Sequence, residues 1–277
     1  MNLTEAIDFA STMRPAWRTP KGSWKEPHKY NRAHVLRLLG ANKNVKNIKK
    51  ADLAAMRATL QREGRANAGI NRIMAFINTT LRELVENELL DRQPKLRNLP
   101  ENNTRMEWYT RENIDDLVRV SREELGDNDL ADAILFATYT GCRRGNLLGL
   151  LVGDIDFAND TINFRETKDG DDYTVDIHPE IRPILAAKCE GESPDAKVFE
   201  FNNKDALWKS FKQARALVGL GKEYKWHTFR HTCGTWLAER EIPIQTIAKV
   251  LGHKTLDMSI RYAKISDKAR KSAINTL

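Results

Sequence analysis

Cysteine is scarce: three in 277 residues, Cys142, Cys189 and Cys233, odd in number and without a CxxC pair. That argues against a disulfide framework and fits a reducing, cytosolic setting. Long hydrophobic runs are missing as well. The longest, around Ala133–Ala137 and Leu147–Val152, fall far short of the ~18 residues a membrane span needs. The opening segment MNLTEAIDFASTM is acidic and amphipathic, unlike a secretory signal. There is no internal repeat and no low-complexity tract. What is present, 41% apolar and 30% charged residues, describes a folded chain with a solvated surface. The length suggests two domains at ~100–200 residues each.

Acidic residues are short in one region only. Residues 1–100 hold 19 Lys+Arg against 9 Asp+Glu, a net +10, whereas residues 101–277 come to −3. A charge serving solubility would be spread evenly; one concentrated in the first third points to a polyanion, with nucleic acid favoured. Apolar periodicity predicts four helices there: Leu3–Met13 with Thr4 as cap, Pro27–Gly40, Ala51–Gly64 and Ala66–Leu90. Basic residues, among them Lys21, Lys25, Lys29, Lys43, Lys46, Lys49 and Lys50, crowd the segments beside and between them. The aperiodic stretch 91–105, with two prolines and three asparagines, reads as a linker, so that a first domain ends near residue 95 and a second begins near 106.

Beyond the linker the pattern predicts a Thr110-capped helix and helices over Leu130–Thr140 and Asn146–Leu151. Two strands follow, Thr161–Glu166 and Tyr173–Ile177, around an Asp169-Gly170 turn. Helices then cover about Pro179–Cys189, Lys204–Val218, Thr228–Arg240 and Ile244–Leu251, with a short piece near Tyr262. The fold class is mostly α with one small antiparallel β-sheet.

Two chemical patterns fail. Gly219-Leu220-Gly221-Lys222 lacks the spacing of a phosphate loop and reads as a helix stop. His227, His231 and Cys233 could approach a metal. However, Thr228 stands where a zinc protease needs Glu, and Arg230 between the histidines opposes a cation. No metal site is expected.

A third pattern is an ordered set: Thr140-Gly141-Cys142-Arg143, Lys168 in the hairpin turn, His227-Thr228-Phe229-Arg230-His231, Leu251-Gly252-His253, and Tyr262 nine residues later. Singly, each residue is more readily a surface or core side chain; together and in this order they resemble the tyrosine recombinase (phage-type integrase) family over nearly the whole chain. The resemblance implies a DNA breaking-rejoining catalytic domain over 106–277 behind a SAM-like, four-helix core-binding bundle over 1–95, closing around double-stranded DNA. It implies site-specific recombination or integration at DNA core sites by a homotetramer on synapsed DNA. The tail, about 263–277, would dock on a neighbouring protomer, and there is room for DNA-bending accessory proteins. In this reading Tyr262 attacks the scissile phosphate, Arg143, Arg230 and His253 hold its oxygens, His227 takes the phenolic proton, Lys168 protonates the leaving oxygen, and His231 orients or packs. Neither ATP nor a metal cofactor is implied. Fixed guanidinium forks and a phenol needing a base suit that chemistry. The chain departs from the family in having Asn146 where a carboxylate is usual, which bears on the positioning of Arg143. It also has Phe229 for Leu and Ser259 for Thr. The bundle begins almost at Met1, with no room for the arm-binding domain that many members of the family carry ahead of it, so two expectations stand: simple core sites, or a longer protein of which this sequence is a part. Two rivals share parts of the pattern: a type IB-like topoisomerase and a non-catalytic DNA-binding protein of the same fold.

Overall fold

The computed structural model describes residues 1–101, 106–165, 172–201 and 203–263, and the chain divides into two compact units, Met1–Thr104 and Arg105–Leu277. In the first, α1 (Leu3–Met13), α2 (Glu26–Leu39) and α3 (Lys50–Arg62) all pack on α4 (Asn67–Glu86). At ~1.5 Å per residue α4 is about 30 Å long, and its stripe of Ile70, Ile73, Met74, Ile77, Leu81 and Leu84 is buried, as the i, i+3, i+4 spacing predicts.

The structure corrects two helix ends. Asn2, not Thr4, caps α1: its side chain accepts the Glu5 N–H and the Glu5 carboxylate accepts the Asn2 N–H, both at 2.9 Å. The Thr4 hydroxyl donates instead to Ala41 O at 3.1 Å. Helix α4 stops at Glu86 rather than Leu90, and Leu90, Leu96 and Leu99 pack against the unit's core. Residues 91–101, whose composition reads as linker, have no regular structure but are fastened to the bundle. The Asn71 amide both accepts the Leu99 N–H and donates to Leu99 O, at 2.9 Å each, satisfying a backbone as a neighbouring strand would.

The second unit contains α5 (Arg111–Glu123), α6 (Asn128–Thr140), α7 (Arg144–Gly149), a sheet, α8 (Arg182–Cys189), α9 (Lys204–Leu217), α10 (His227–Glu239), α11 (Ile244–Val250) and α12 (Ile260–Ala263). The sheet is antiparallel, in the order β1 (Ile155–Asp156), β2 (Thr161–Phe164), β3 (Tyr173–Asp176), with Ile162 paired to both Ile155 and Val175. Strand β1, two residues long, is too short to show alternation in the sequence. Helix α7 starts at Arg144 rather than Asn146, and α8 at Arg182 rather than near Pro179. The hairpin turn with Lys168 and Asp169-Gly170, and the tail from residue 264, lie outside the described residues. Gly-Leu-Gly-Lys is a helix stop: Gly219 has φ +77° and the Leu220 N–H reaches back to Arg215 O at 3.0 Å.

An aromatic core sets the rotation of α10. Phe229, fully buried, stacks on Tyr109 with ring centres 4.6 Å apart and meets Phe211 and Trp226 edge-on. The free cysteines divide by environment: Cys142 and Cys233 are buried, Cys189 half-buried. No described helix is long and apolar enough to cross a membrane.

Candidate active site

Arg230, 2% exposed, is the buried cation of the site. Its Nη1 donates to Gly141 O at 2.9 Å and its Nη2 to Leu251 O. Those two residues end α6 and α11. Helix C-termini offer unpaired carbonyls carrying partial negative charge, so two of them can hold a buried guanidinium that has no carboxylate partner among the described residues. The approach is close: a Cβ on Gly141, at φ +61°, would fall 2.5 Å from the Leu251 side chain. Two residues on, Arg143 caps the start of α7, half-buried. Burial, then the charge of Arg143, lowers the Arg230 pKa, yet a guanidinium remains a cation at neutral pH.

His227, His231 and Gly234 share one face of α10 by helical spacing. Tyr262, on α12 and 1% exposed, lies over this face: a Cβ on Gly234 would be 2.6 Å from the phenol ring. Its hydroxyl is 3.2 Å from His231 Nδ1. Burial pushes the Tyr262 pKa up to about 12, while Arg230 and Arg261 pull the other way. Burial, then the charges of His227 and Arg261, draws His231 down to about 3. A neutral imidazole therefore faces a protonated phenol, and in the tautomer with its proton on Nε2 the His231 Nδ1 accepts from Tyr262.

This differs from the sequence expectation, in which His227 takes the proton and His231 orients or packs. His227 opens α10 and remains exposed, its ring edge-on to His231 at 4.8 Å between centres. Desolvation, then Arg230 and Arg143, holds its pKa below the usual 6.5. The ring that reaches the hydroxyl lies one turn further in, a distinction invisible in a motif holding both histidines. His253 has its Nδ1 2.6 Å from the Ser259 hydroxyl, and burial, then Arg230 and Arg143, brings its pKa to about 4.

The fold thus gathers Arg143, His227, Arg230, His231, His253 and Tyr262. Lys168 lies outside the described residues. Asn146 borders, with Arg143, a groove of about 600 Å³ that also holds an Asp154–Arg165 ion pair. One neighbour escaped the sequence reading. Tyr173 packs its ring on Gly252, where a Cβ would lie 2.8 Å away; its buried hydroxyl has no geometric hydrogen-bond partner among the described residues, and burial raises its pKa while Arg230 and Arg143 oppose the rise. Only strand alternation marked it. Among the described residues no group of three His, Cys, Asp or Glu could hold a metal ion.

In the first unit, Lys21, Lys25, Lys46, Lys49 and Lys50 are exposed and have no ion pair among the described residues. Lys29 pairs loosely with Glu26 at 3.4 Å. Lys43 is engaged: its Nζ is 2.6 Å from Asp52, whose other oxygen accepts the Lys49 N–H at the start of α3.

Residues 107–269 match the family model described as the phage integrase family. The chain belongs to this family. Among its curated relatives, the tyrosine recombinase XerA of Saccharolobus solfataricus is 32% identical over 126 residues, which span 46% of this integrase-family chain and 42% of that protein's own length. The integrase of the Tn1549 transposon, solved in complex with circular intermediate DNA, gives a TM-score of 0.74 at 17% identity over 95% of both chains. A lambda integrase tetramer bound to a Holliday junction gives 0.72 at 18%, covering 92% of this chain and 78% of that one. At these identities the likeness establishes the integrase fold.

Proposed function

We propose that the chain is a site-specific DNA recombinase whose nucleophile is Tyr262. The observation that carries this reading is a phenol hydrogen-bonded to a neutral imidazole, 3.2 Å away, beside Arg143, Arg230 and His253. A phosphodiester under attack accumulates charge on its non-bridging oxygens. Arg143, Arg230 and His253 donate to those oxygens. The Tyr262 Oη forms a bond to phosphorus as its proton passes to His231, with His227 alongside as relay to solvent. The bond from phosphorus to the 5′ oxygen breaks in line, Lys168 supplies that oxygen's proton, and a 3′-phosphotyrosyl link remains. Attack by a different 5′ hydroxyl reverses the step and exchanges strands. The covalent link conserves the bond, so neither ATP nor a metal ion enters the balance. With Tyr262 sealed against Gly234, DNA binding must open this contact before attack.

Double-stranded DNA core sites are the partner, in the cytoplasm of a bacterial host, with the exposed lysines of residues 1–95 on the phosphate backbone. A tetramer on paired sites, with the terminal residues docking in trans, is supported by the assembly of lambda integrase. Removing residues 266–277 then abolishes recombination and spares DNA binding.

The decisive experiment is incubation with a nicked suicide duplex carrying the chain's own site, with EDTA and without ATP. An adduct that survives denaturing electrophoresis should form and vanish in Tyr262→Phe. No adduct on a verified site, or one formed by the Phe variant, removes Tyr262 as nucleophile.

A further inference from the structure

We infer that Ser259 sets the tautomer of His253: its hydroxyl donates to Nδ1 and leaves the ring proton on Nε2, the edge able to donate to a phosphate oxygen. The inference rests on the reading of His253 as a donor to the scissile phosphate. It starts from a contact of 2.6 Å between His253 Nδ1 and Ser259 Oγ, with Ser259 fully buried. Burial disfavours a charged ring, and Arg230, Arg143, Arg261 and His227 oppose a further positive charge, so it is neutral and carries one N–H.

Two arrangements satisfy the distance, and burial separates them. If Nδ1–H donates, the serine's own O–H, on a fully buried side chain, is left without an acceptor. No other hydrogen bond of that hydroxyl exists among the described residues. The Ser259 backbone is already engaged, its N–H with Leu256 O at 2.8 Å and its C=O with the Tyr262 N–H at 2.9 Å. A buried donor without a partner is disfavoured. If the hydroxyl donates, it and Nδ1 are both satisfied and Nε2 carries the proton.

The same residue is built into the turn that carries the nucleophile. Ser259 lies three positions before Tyr262, and its carbonyl holds the Tyr262 N–H. One side chain therefore orients the electrophile while its backbone starts the helix of the attacking phenol. Ser259 is a positioning residue acting through His253.

The test uses full-length protein in two measurements. Nitrogen-15 NMR of histidine-labelled protein reads the tautomer, with the His253 signals identified by their loss in His253→Gln. The unaltered protein should show Nε2–H at His253, Ser259→Ala should lose that preference, and Ser259→Thr should keep it. Adduct formation on the nicked duplex should slow roughly ten- to a hundredfold in Ser259→Ala, the range for removal of a ligand-orienting partner. DNA affinity should be unchanged, and Ser259→Thr should recover most of the rate. An Nδ1–H ring in the unaltered protein overturns the inference, as does a Ser259→Ala protein that cleaves at full rate. Should the Ala variant lose DNA affinity through misfolding, the tautomer of the unaltered protein decides alone. Absence of any adduct from the unaltered protein would instead strike the recombinase reading, leaving the tautomer measurement interpretable.

Discussion

The phenol of Tyr262 shows how narrowly single positions constrain the site. Its ring occupies the space a side chain on residue 234 would fill. Gly234→Ala should therefore displace the ring and reduce adduct formation by about a hundredfold, the scale of an ångström-sized misplacement. DNA affinity and helix content by circular dichroism should stay unchanged; a full cleavage rate would refute the close approach. The histidines add a pH dependence. His231 and His253 titrate near 3 and 4 in the folded chain against 6.5 for an ordinary imidazole. A depressed pKa means that the unfolded chain binds protons first, so the contribution to stability is full above 6.5 and is lost as pH falls towards 4. Thermal unfolding of the second unit, followed from pH 7.5 to 4, should show Tm dropping across that interval, and a flat profile would contradict the neutral rings. At this scale the sequence revealed which residue types meet, because Arg143, Arg230, His253 and Tyr262 stand in a recognisable order. It could not separate His231 from His227: both lie on one helix face, and only the position of Tyr262 selects between them. Tyr173 was hidden for a related reason: the hairpin pairs it with Phe164, but its place beside Gly252 and Arg230 depends on segments distant in sequence.

Among the elements, the ends of α6 and α11 have a task that their letters do not announce. Each ends on a carbonyl that accepts from Arg230, so the guanidinium is a structural clasp besides its proposed role at the phosphate. Lysine keeps the charge but cannot reach both carbonyls with a fixed fork. Arg230→Lys should therefore cost roughly 1–3 kcal/mol of stability, the value of a hydrogen bond to a charged group. The urea midpoint of the second unit would show it, and an unchanged midpoint would mean that α6 and α11 do not depend on the clasp. Long amphipathic helices such as α4 were legible because burial repeats along them with a fixed period. The two-residue β1 was not, since register with β2 creates it. The stretch 91–101 misled for the opposite reason: its composition is that of a linker, but side chains distant in sequence, Arg57, Asn67 and Asn71, bond its backbone to the bundle.

For the molecule as a whole, the charge asymmetry marks residues 1–100 as the proposed polyanion-binding part and leaves the chemistry of the second unit unmarked. Residues 101–277 hold 26 Lys+Arg against 29 Asp+Glu, so the few cations gathered around Arg230 leave no mark on the total. DNA affinity should fall steeply with salt, with log K losing ~0.9 for every phosphate neutralised, per tenfold rise in concentration. Replacing Lys46 or Lys49 by Gln should each lower that slope by about 1, as one ammonium leaves the phosphate backbone. Lys43→Gln should leave the slope nearly intact and instead loosen the start of α3, because its ammonium already holds Asp52. Fluorescence anisotropy titrations at several salt concentrations distinguish the two classes, and a common slope for all three variants would dissolve the distinction.

The partition of the cysteines has a practical side. Burial pushes the thiols of Cys142 and Cys233 up to about 11 and 12, so neither offers thiolate or access to an alkylating reagent. Cys189, half-buried at the last position of α8, is the reachable one. A maleimide dye should thus label the native chain at a single place without mutagenesis, giving an optical marker on the second unit with which to time its arrival on DNA.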